Sequence, residues 1–367
     1  MGNSTRCHAV MEYLAEQGVE IHVLTSGNGL TYFRDKKEIA SLTPMDAFFY
    51  SGSHGHVSGW RTLAALRRLH RLAHKKREQL AALLAKIKPD VAVTDSEYAV
   101  APLRHRGIPI IGLNNSDVIV SEYLNGRPTP RSIRSQFWVV EFADYLYHKR
   151  VCDMVISPAA VRIPPRHPRV QRVGMIIRRA VRETLVRHPP REFPRPGEIK
   201  SVVFMLSGSI FASHIAFGDG QFPFHVDVVG REGESRGQIT FHGRLMNNIE
   251  LLGKADALVI NGGFSAVSEA AALHKPTLVI PVPGHAEQWV NARALADLGG
   301  GYVTDEAGVL ELVQRLYRLN RWEGLTAPGL AVNPDGAREA ADFISELLEA
   351  RRTRTPGGTP AAICPGN

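Results

Sequence analysis

Short apolar runs alternate with helix-patterned stretches along most of this chain. The runs are rich in β-branched residues and mostly lack polar alternation, which is typical of strands covered on both faces. They predict nine strands, at 19–24, 91–94, 108–113, 151–157, 201–206, 225–230, 238–243, 257–261 and 277–282. Helices are predicted around them, for example at 5–17, 60–87, 264–273, 286–297 and 335–350. Such alternation predicts an α/β protein with parallel sheets.

The alternation is interrupted at residues 163–200, a stretch rich in proline and arginine. Proline disfavours both helix interiors and central strands, so this stretch indicates the end of one domain and a stiff connection to the next. We therefore predict two Rossmann-like domains, at 1–175 and 200–350, joined by a Pro/Arg-rich linker at 176–199. The last residues, 351–367, have the composition of a disordered tail.

The chain has 367 residues and a formal net charge of +8, and the positive charge is unevenly spread. Much of it lies in segments 61–88 and 162–191. Such segments attract phosphate-bearing partners, whether nucleic acid, anionic lipid or phosphorylated metabolites, although a solvated helix face is the simpler interpretation. No aromatic stacking platform or DNA-reading motif accompanies them, so nucleic acid is not predicted as a partner.

The sequence also carries signals about compartment. It contains no run of about 18 apolar residues, as a membrane-spanning helix requires, and its first residues lack the pattern of a signal peptide. The three cysteines, Cys7, Cys152 and Cys364, are far apart and fit neither a disulfide framework nor a zinc cluster. A cytoplasmic protein is therefore expected.

A turn of two glycines joins a predicted strand to a predicted helix near residue 262. Gly262 and Gly263 follow the strand, and glycines there let phosphate oxygens approach the backbone N–H groups at a helix N-terminus. Ser265 and Glu269 share one face of that helix, where a carboxylate can take two ribose hydroxyls. Glu287 and Gln288 follow the next strand, at the edge where open α/β sheets bind ligands.

This stretch resembles the donor-binding motif of GT-B glycosyltransferases that use nucleotide sugars, a group that includes the peptidoglycan N-acetylglucosaminyltransferase and plant UDP-glycosyltransferases. It is most similar to a prokaryotic subgroup with the pattern GGF-x-x-x-SEA-x-x-x-x-KP, followed by EQ-x-x-NA. The matching residues are Gly262, Gly263, Phe264, Ser268, Glu269, Ala270, Lys275, Pro276, Pro281, Glu287, Gln288, Asn291 and Ala292. The resemblance implies a GT-B fold, with two Rossmann-like domains facing a cleft.

The resemblance also implies roles for these residues. Gly262 and Gly263 are expected to face the diphosphate, Glu269 the ribose, and Glu287 with Gln288 the sugar hydroxyls. The remaining donor-side candidates are Asn261, Phe264, Ser265, Asn291 and a glycine/serine turn at Ser207, Gly208 and Ser209. Two positions depart from the relatives: Asn261 stands where the plant-type motif has His, and His274 stands where a helix-ending Gly is usual.

The first residues match the G-x-G-H-x-x-R loop that follows the first strand in such enzymes. Asn3 stands where many relatives carry His, sometimes a catalytic base, and Arg6 falls on the acceptor side of the cleft. The strand that precedes this loop in the family is missing from the sequence. We therefore expect the natural start to lie upstream, with an apolar segment that ends in Gly-x-Gly.

Further candidates follow the strands at 91–94 and 108–113, which resemble the same subgroup. A transfer with inversion needs one base to deprotonate the acceptor hydroxyl. Asp95 or Glu97 is the predicted base, followed by Asp117, with Asn115 also on the acceptor side. Helix N-capping is the alternative role for Asp95 and Asp117.

The resemblance implies transfer of a sugar from a UDP- or dTDP-sugar to an acceptor hydroxyl, with inversion and with neither metal nor cofactor. The acceptor is open; a lipid-linked one is an alternative, in which case the basic helix at 60–87 is a candidate for docking on the anionic inner face of the membrane. Two other functions are weighed: a non-catalytic nucleotide-sugar-binding protein, and a nucleotide-sugar 2-epimerase. The epimerases resemble D-S-G-G-x-Q-E-E where this chain has NGGFSAVSE.

Overall fold

Two parallel sheets form the first half of the chain. The computed structural model describes residues 2–46, 59–160, 163–189, 199–206, 215, 217–218, 221–245, 247–319 and 333–353, with backbone only at 59–69, 319 and 352. The strands of this half are β1 (His22–Thr25), β2 (Ser41–Pro44), β3 (Ala92–Thr94), β4 (Ile110–Leu113), β5 (Met154–Pro158) and β6 (Val170–Val173). Strand β1 pairs with β2, and the other four form a sheet in chain order. Among the described residues, no strand precedes the first helix.

Helices connect these strands. They are α1 (Gly2–Glu16), α2 (Asn28–Phe33), α3 (Gly59–Lys86), α4 (Ala101–His105), α5 (Ser116–Tyr123), α6 (Arg134–Gln136) and α7 (Phe142–Val151). A 3-10 turn (Arg131–Ile133) precedes α6, and a π-helical turn (Phe137–Glu141) joins α6 to α7. No helix in the described part of the chain is both long and apolar enough to cross a bilayer.

The second half is built on one six-stranded parallel sheet in the order β12-β11-β10-β7-β8-β9. Its strands are β7 (Ser201–Met205), β8 (His225–Val229), β9 (Ile239–Gly243), β10 (Ala257–Asn261), β11 (Thr277–Ile280) and β12 (Gly301–Val303). The helices are α8 (Arg179–Arg187), α9 (Ile249–Lys254), α10 (Phe264–Ala272), α11 (Ala286–Asp297), α12 (Val309–Leu319) and α13 (Gly336–Arg352). Apolar clusters cover both faces of this sheet, which explains why its strands read as continuous apolar runs.

All nine predicted strands are present, and the predicted α/β class with parallel sheets is confirmed. Three short strands were not predicted: β2, β6 and β12. The stretch 163–200, predicted as the end of one domain and a stiff linker, contains β6 and α8. Strand β6 lies at the edge of its sheet, where neighbouring prolines are tolerated. The domain boundaries stay a prediction, and most of the predicted tail lies outside the described residues.

The end of helix α10 explains one departure from the family pattern. His274 follows this helix with a positive φ of 52°, a conformation that glycine adopts without steric cost. The chain therefore keeps the left-handed turn that a glycine usually provides at this position.

The last helix, α13, which the sequence predicts at 335–350, packs against the first half of the chain. Its small residues Ala337, Ala340 and Ala341 are fully buried in one core with Ala9 and Val10 of α1. Small side chains on both helices allow a close approach. The two ends of the chain thus share one hydrophobic core.

The start of α13 makes the tightest backbone contact of this interface. A Cβ atom on Gly336 would lie 1.9 Å from the carbonyl oxygen of Gly174. We expect Gly336→Ala to lower the free energy of unfolding by about 1–3 kcal/mol or more, because the helix must shift outward. Urea unfolding measures this loss. Glu346→Ala, an exposed change on the same helix, is the control, and equal stability of the two variants would contradict the packing.

Candidate donor and acceptor site

The N-termini of α1 and α10 meet where the two halves of the chain face each other. The Ser265 hydroxyl of α10 donates a hydrogen bond to the carbonyl oxygen of Gly2, 3.0 Å away. Gly263 caps α10 in an extended conformation, and nothing lies within 4 Å of the position of a Cβ atom there. Helix N-termini favour anions through their free N–H groups and dipoles. This junction therefore offers a place for a diphosphate.

Gly262 has a packing role that differs from the predicted contact with phosphate. A Cβ atom on Gly262 would lie 2.3 Å from the backbone oxygen of Gln288, so the glycine lets α11 lie against the turn. The Asn291 side-chain amide donates to the Gly262 carbonyl at 3.1 Å. The Gln288 side-chain oxygen accepts from the Val282 N–H at 3.0 Å. These side chains build the turn, and Gly263 is the glycine that remains open.

Other predicted donor residues also have structural partners. Asn261 is buried, and its amide donates to the Ile280 carbonyl at 2.8 Å, which ties β10 to β11. Phe264 is buried as well. The predicted glycine/serine turn at Ser207, Gly208 and Ser209 lies outside the described residues.

Glu269, the predicted ribose ligand, is held by an arginine that the sequence did not single out. Both carboxylate oxygens accept from the Arg178 guanidinium, at 2.6 Å and 2.7 Å. Arg178 also donates to the Asn248 side chain at 3.2 Å. The side chains of this pair are only 13% and 6% exposed. The buried carboxylate of Glu269, in the second turn of α10, thus lies against the guanidinium of Arg178, which precedes α8.

The predicted residues near the N-terminus form one network, which is buried at Arg6 and Asp95 and exposed at Asn3. Arg6 binds Asp95 through two hydrogen bonds, of 2.6 Å and 3.1 Å. Asn3 donates to the hydroxyl of Ser96 at 3.3 Å, so the first turn of α1 is tied to the loop after β3. Burial and then the charge of Asp95 raise the pKa of the nearby Cys7 thiol well above its usual value, which disfavours the thiolate form.

The two predicted bases are both engaged in the structure. Asp95 carries the Arg6 ion pair on both oxygens. Glu97 accepts from Lys76 at 2.6 Å and from the backbone N–H groups of Tyr98 and Ala99. Each carboxylate thus has a structural role: Asp95 pairs with Arg6, and Glu97 binds Lys76 and the loop backbone before α4. The assignment of the base stays a prediction.

Asp117, predicted on the acceptor side, is buried in an ion pair. Its side chain is 1% exposed and forms an ion pair with Arg172 of β6. The backbone N–H of Arg166 adds a hydrogen bond at 3.3 Å. Asp117 therefore has a structural partner at the sheet edge of the first half, and its predicted place on the acceptor side stays a prediction.

Asn115 and Glu287 meet across the two halves, as expected of residues that line a shared cleft. The Asn115 amide donates to Glu287 at 3.4 Å. Glu141, at the end of the π-helical turn, lies beside this pair and accepts from Gln136 at 2.6 Å. Burial raises the pKa of Glu141 to about 7, and the charge of Glu287 contributes to this rise.

Sequence reasoning missed Arg178 and Glu141. Arg178 is one of many arginines in segment 162–191, and nothing in the pattern separates it from the exposed ones. Glu141 had a usable signal, because it is the one charged residue in the apolar and aromatic run 137–143. A lone acid in such a run is a candidate for burial.

Comparison with known proteins decides the family. Residues 1–132 and 220–319, more than half of the chain, match Glycosyl transferase family 1. The chain belongs to glycosyl transferase family 1. This match favours sugar transfer over the epimerase and the non-catalytic binding protein considered from the sequence.

Two curated relatives of this glycosyltransferase share one name, UDP-N-acetylglucosamine–N-acetylmuramyl-(pentapeptide) pyrophosphoryl-undecaprenol N-acetylglucosamine transferase. The protein from Rhodospirillum rubrum is 26% identical over 333 residues, 82% of this chain and 80% of that protein. The protein from Corynebacterium jeikeium is 32% identical over 106 residues, so the match spans only 28% of its length and 27% of this chain.

Among solved structures, this glycosyltransferase is similar to Acinetobacter baumannii MurG. The TM-score is 0.54 at 13% identity, over 94% of this chain and 96% of that chain. This likeness confirms the predicted GT-B fold. The family and the curated relatives confirm the predicted class of enzyme, a nucleotide-sugar-dependent glycosyltransferase.

The raised pKa of Glu141 predicts a pH-dependent stability. The folded protein binds this proton more tightly than the unfolded chain, so wild-type stability falls as the pH rises from 4.5, the usual pKa of the group, to about 7. Glu141→Gln removes the free-energy cost of burying an ionised carboxylate at this position. We therefore expect the variant to be more stable than wild type by up to about 3 kcal/mol near pH 8 and similar to it near pH 4.5.

Thermal unfolding across this pH range, without added metal, tests the expectation. Glu346→Gln, an exposed change, should keep the pH profile of the wild type. Parallel profiles for wild type and Glu141→Gln would show that Glu141 has an ordinary pKa.

Proposed function

We propose that this glycosyltransferase transfers N-acetylglucosamine from UDP to a hydroxyl group of a lipid-linked acceptor at a membrane surface. The observation that supports the proposed donor-binding site is Glu269, a buried carboxylate on the helix that begins at the open glycine Gly263. The names of both curated relatives specify a UDP-linked N-acetylglucosamine donor and an undecaprenol-linked acceptor. These names support the choice of UDP over dTDP.

The donor is placed along α10 in this proposal. The diphosphate lies between the N-termini of α1 and α10, whose dipoles stabilise its charge. The ribose hydroxyls donate to Glu269, and Arg178 holds that carboxylate in position while adding positive charge beside the diphosphate. The sugar extends toward Glu287, which lies on the next helix and faces the first half.

The acceptor approaches from the first half of the chain. The Arg6–Asp95 pair holds the first turn of α1 beside the donor, and Asn115 reaches across to Glu287. A single displacement at the sugar carbon inverts its configuration and needs one proton acceptor for the hydroxyl. The geometry of the cleft thus serves mainly to position the two substrates and to stabilise the leaving diphosphate.

An exposed apolar ridge supports a membrane-bound acceptor. Trp138, Val139 and Val140 follow one another on the π-helical turn and are 44%, 74% and 46% exposed. Arg131 and Arg134, both exposed, precede them on the same segment. An apolar ridge beside arginines suits insertion among anionic headgroups.

The basic helix first considered for docking is less suitable than this ridge. Lys76, one of the basic residues of this helix, is buried against Glu97 of the first half. Its leucines between 63 and 69 lie where only the backbone is described.

Binding of the donor tests the role of Glu269. We expect UDP-N-acetylglucosamine and UDP to raise the melting temperature of the wild type, and Glu269→Ala to weaken both affinities about tenfold to hundredfold, because a charged hydrogen-bond acceptor is lost. Each variant is compared with its own ligand-free form, since an unpaired Arg178 destabilises the protein.

The matched control is Glu250→Ala, which removes an exposed carboxylate that also pairs with an arginine. It should bind UDP as the wild type does. Equal affinity of Glu269→Ala and wild type, or a response to dTDP alone, would overturn the proposed donor site.

Vesicle binding tests the apolar ridge. We expect Val139→Asp to reduce cosedimentation with anionic phospholipid vesicles several-fold, because a charge replaces the most exposed apolar side chain of the ridge. Val186→Asp, which changes a valine that is 84% exposed on α8, is the matched control and should bind as the wild type does. An equal loss in both variants would show that the ridge is not the docking surface.

A further inference from the structure

Three groups that can bind a metal converge where the two halves of the chain meet. Glu141 comes from the π-helical turn of the first half, and His285 and Glu287 come from the start of α11 in the second half. One ligand atom of each residue lies within 4.8 Å of the other two. Glu141 is only 7% exposed. The group thus joins two separate parts of the fold rather than neighbours on one surface loop.

The negative charge of this group has no cationic partner at ion-pair distance. In the described part of the chain, no lysine or arginine lies within 4.0 Å of the Glu141 or Glu287 carboxylate. The charge of Glu287 acts on Arg6, but the guanidinium of Arg6 is itself paired with Asp95. Their polar contacts are the neutral amides of Gln136 and Asn115. Two carboxylates in a buried place repel each other unless a proton or a cation lies between them.

His285 supplies an unused lone pair or proton beside these carboxylates. Its Nδ1 atom is buried and has no hydrogen-bond partner among the described residues. Buried polar atoms without partners are rare and need an explanation. One imidazole nitrogen and two carboxylate oxygens form a donor set that suits Zn²⁺ and other first-row divalent cations.

A second group of similar composition shows the contrast. His8, Glu12 and Glu38 also lie within 4.8 Å of one another. One oxygen of Glu12 is buried without a hydrogen-bond partner. However, the charges of Arg179 and Lys36 act on Glu12, and both nitrogens of His8 have partners, in Glu38 and a tyrosine hydroxyl. The negative charge of this second group is already balanced by nearby cations, so the group does not need a bound metal ion.

We propose that a first-row divalent cation of the Zn²⁺ type binds to Glu141, His285 and Glu287 and thereby links the two halves of the enzyme. Bonds of about 2.1 Å place tetrahedral ligand atoms about 3.4 Å apart. The three ligand atoms lie within 4.8 Å of one another, so the bound ion draws them closer together. A water molecule completes the fourth position. Glu287 would serve both as a ligand of the ion and as the proposed contact of the donor sugar. Metal binding is therefore measured without nucleotide, so that the result does not depend on the proposed donor site.

Zinc content after dialysis tests this site. The full chain is freed of metal with a chelator, dialysed against Zn²⁺ and analysed, and its affinity is measured by competition with a zinc-binding dye. We expect Glu141→Gln and His285→Asn each to hold one equivalent less than wild type, or to bind that equivalent at least about tenfold more weakly. Glu38→Gln, in the second group, is the control and should retain the wild-type stoichiometry and affinity.

Two features keep the test decisive. Glutamine at position 141 preserves the shape of the side chain, and the partly exposed His285 provides a second variant should the first fail to fold. Equal zinc binding by wild type, Glu141→Gln and His285→Asn would mean that zinc binds elsewhere on the chain. That result, or the absence of saturable binding to the wild type, would overturn the proposal.

Discussion

The ion pair between Arg178 and Glu269 is the interaction around which the second half is organised. Removing both charges from water costs several kcal/mol, and only a geometry with two short hydrogen bonds offsets that cost. Arg178 lies on the segment that arrives from the first half, whereas Glu269 lies on α10. The pair therefore fixes how the connecting segment approaches the helix, and it places a carboxylate one turn from the helix N-terminus, where a nucleotide can reach it.

The cleft carboxylates differ in how their charges are balanced, and this difference separates their roles. Glu269 and Asp95 each face an arginine in a two-point contact, so they are held rigidly as parts of the framework. Glu141 and Glu287 face each other with only amide partners. The arginine-paired carboxylates thus fix the geometry of the cleft. The carboxylates without an ion-pair partner can bind a cation or a hydroxyl group that enters the cleft.

The sequence predicts features that depend on neighbouring residues, such as strands and turns. It does not predict contacts between residues that are far apart in the chain. The apolar run of β10 predicts a buried strand, and the glycines and Glu269 follow from that strand at fixed spacing. In contrast, Asp117 and Arg172 are 55 residues apart, and no local pattern indicates that they pair. The same holds for Glu269 and Arg178, which are 91 residues apart. Ion pairs of this kind depend on the finished topology, so a single sequence cannot predict them.

Two buried apolar clusters join the halves, besides the polar contacts of the cleft. In one cluster, Phe137 of the π-helical turn and side chains of α5 pack against Ala286 and Val290 of α11. In the other, α1 and α13 share a core. Opening either contact would expose fully buried side chains, which costs free energy. The polar contacts, Ser265 with Gly2 and Asn115 with Glu287, exchange readily with water, so they are the part of the interface that a polar substrate can replace while the apolar clusters keep the halves together.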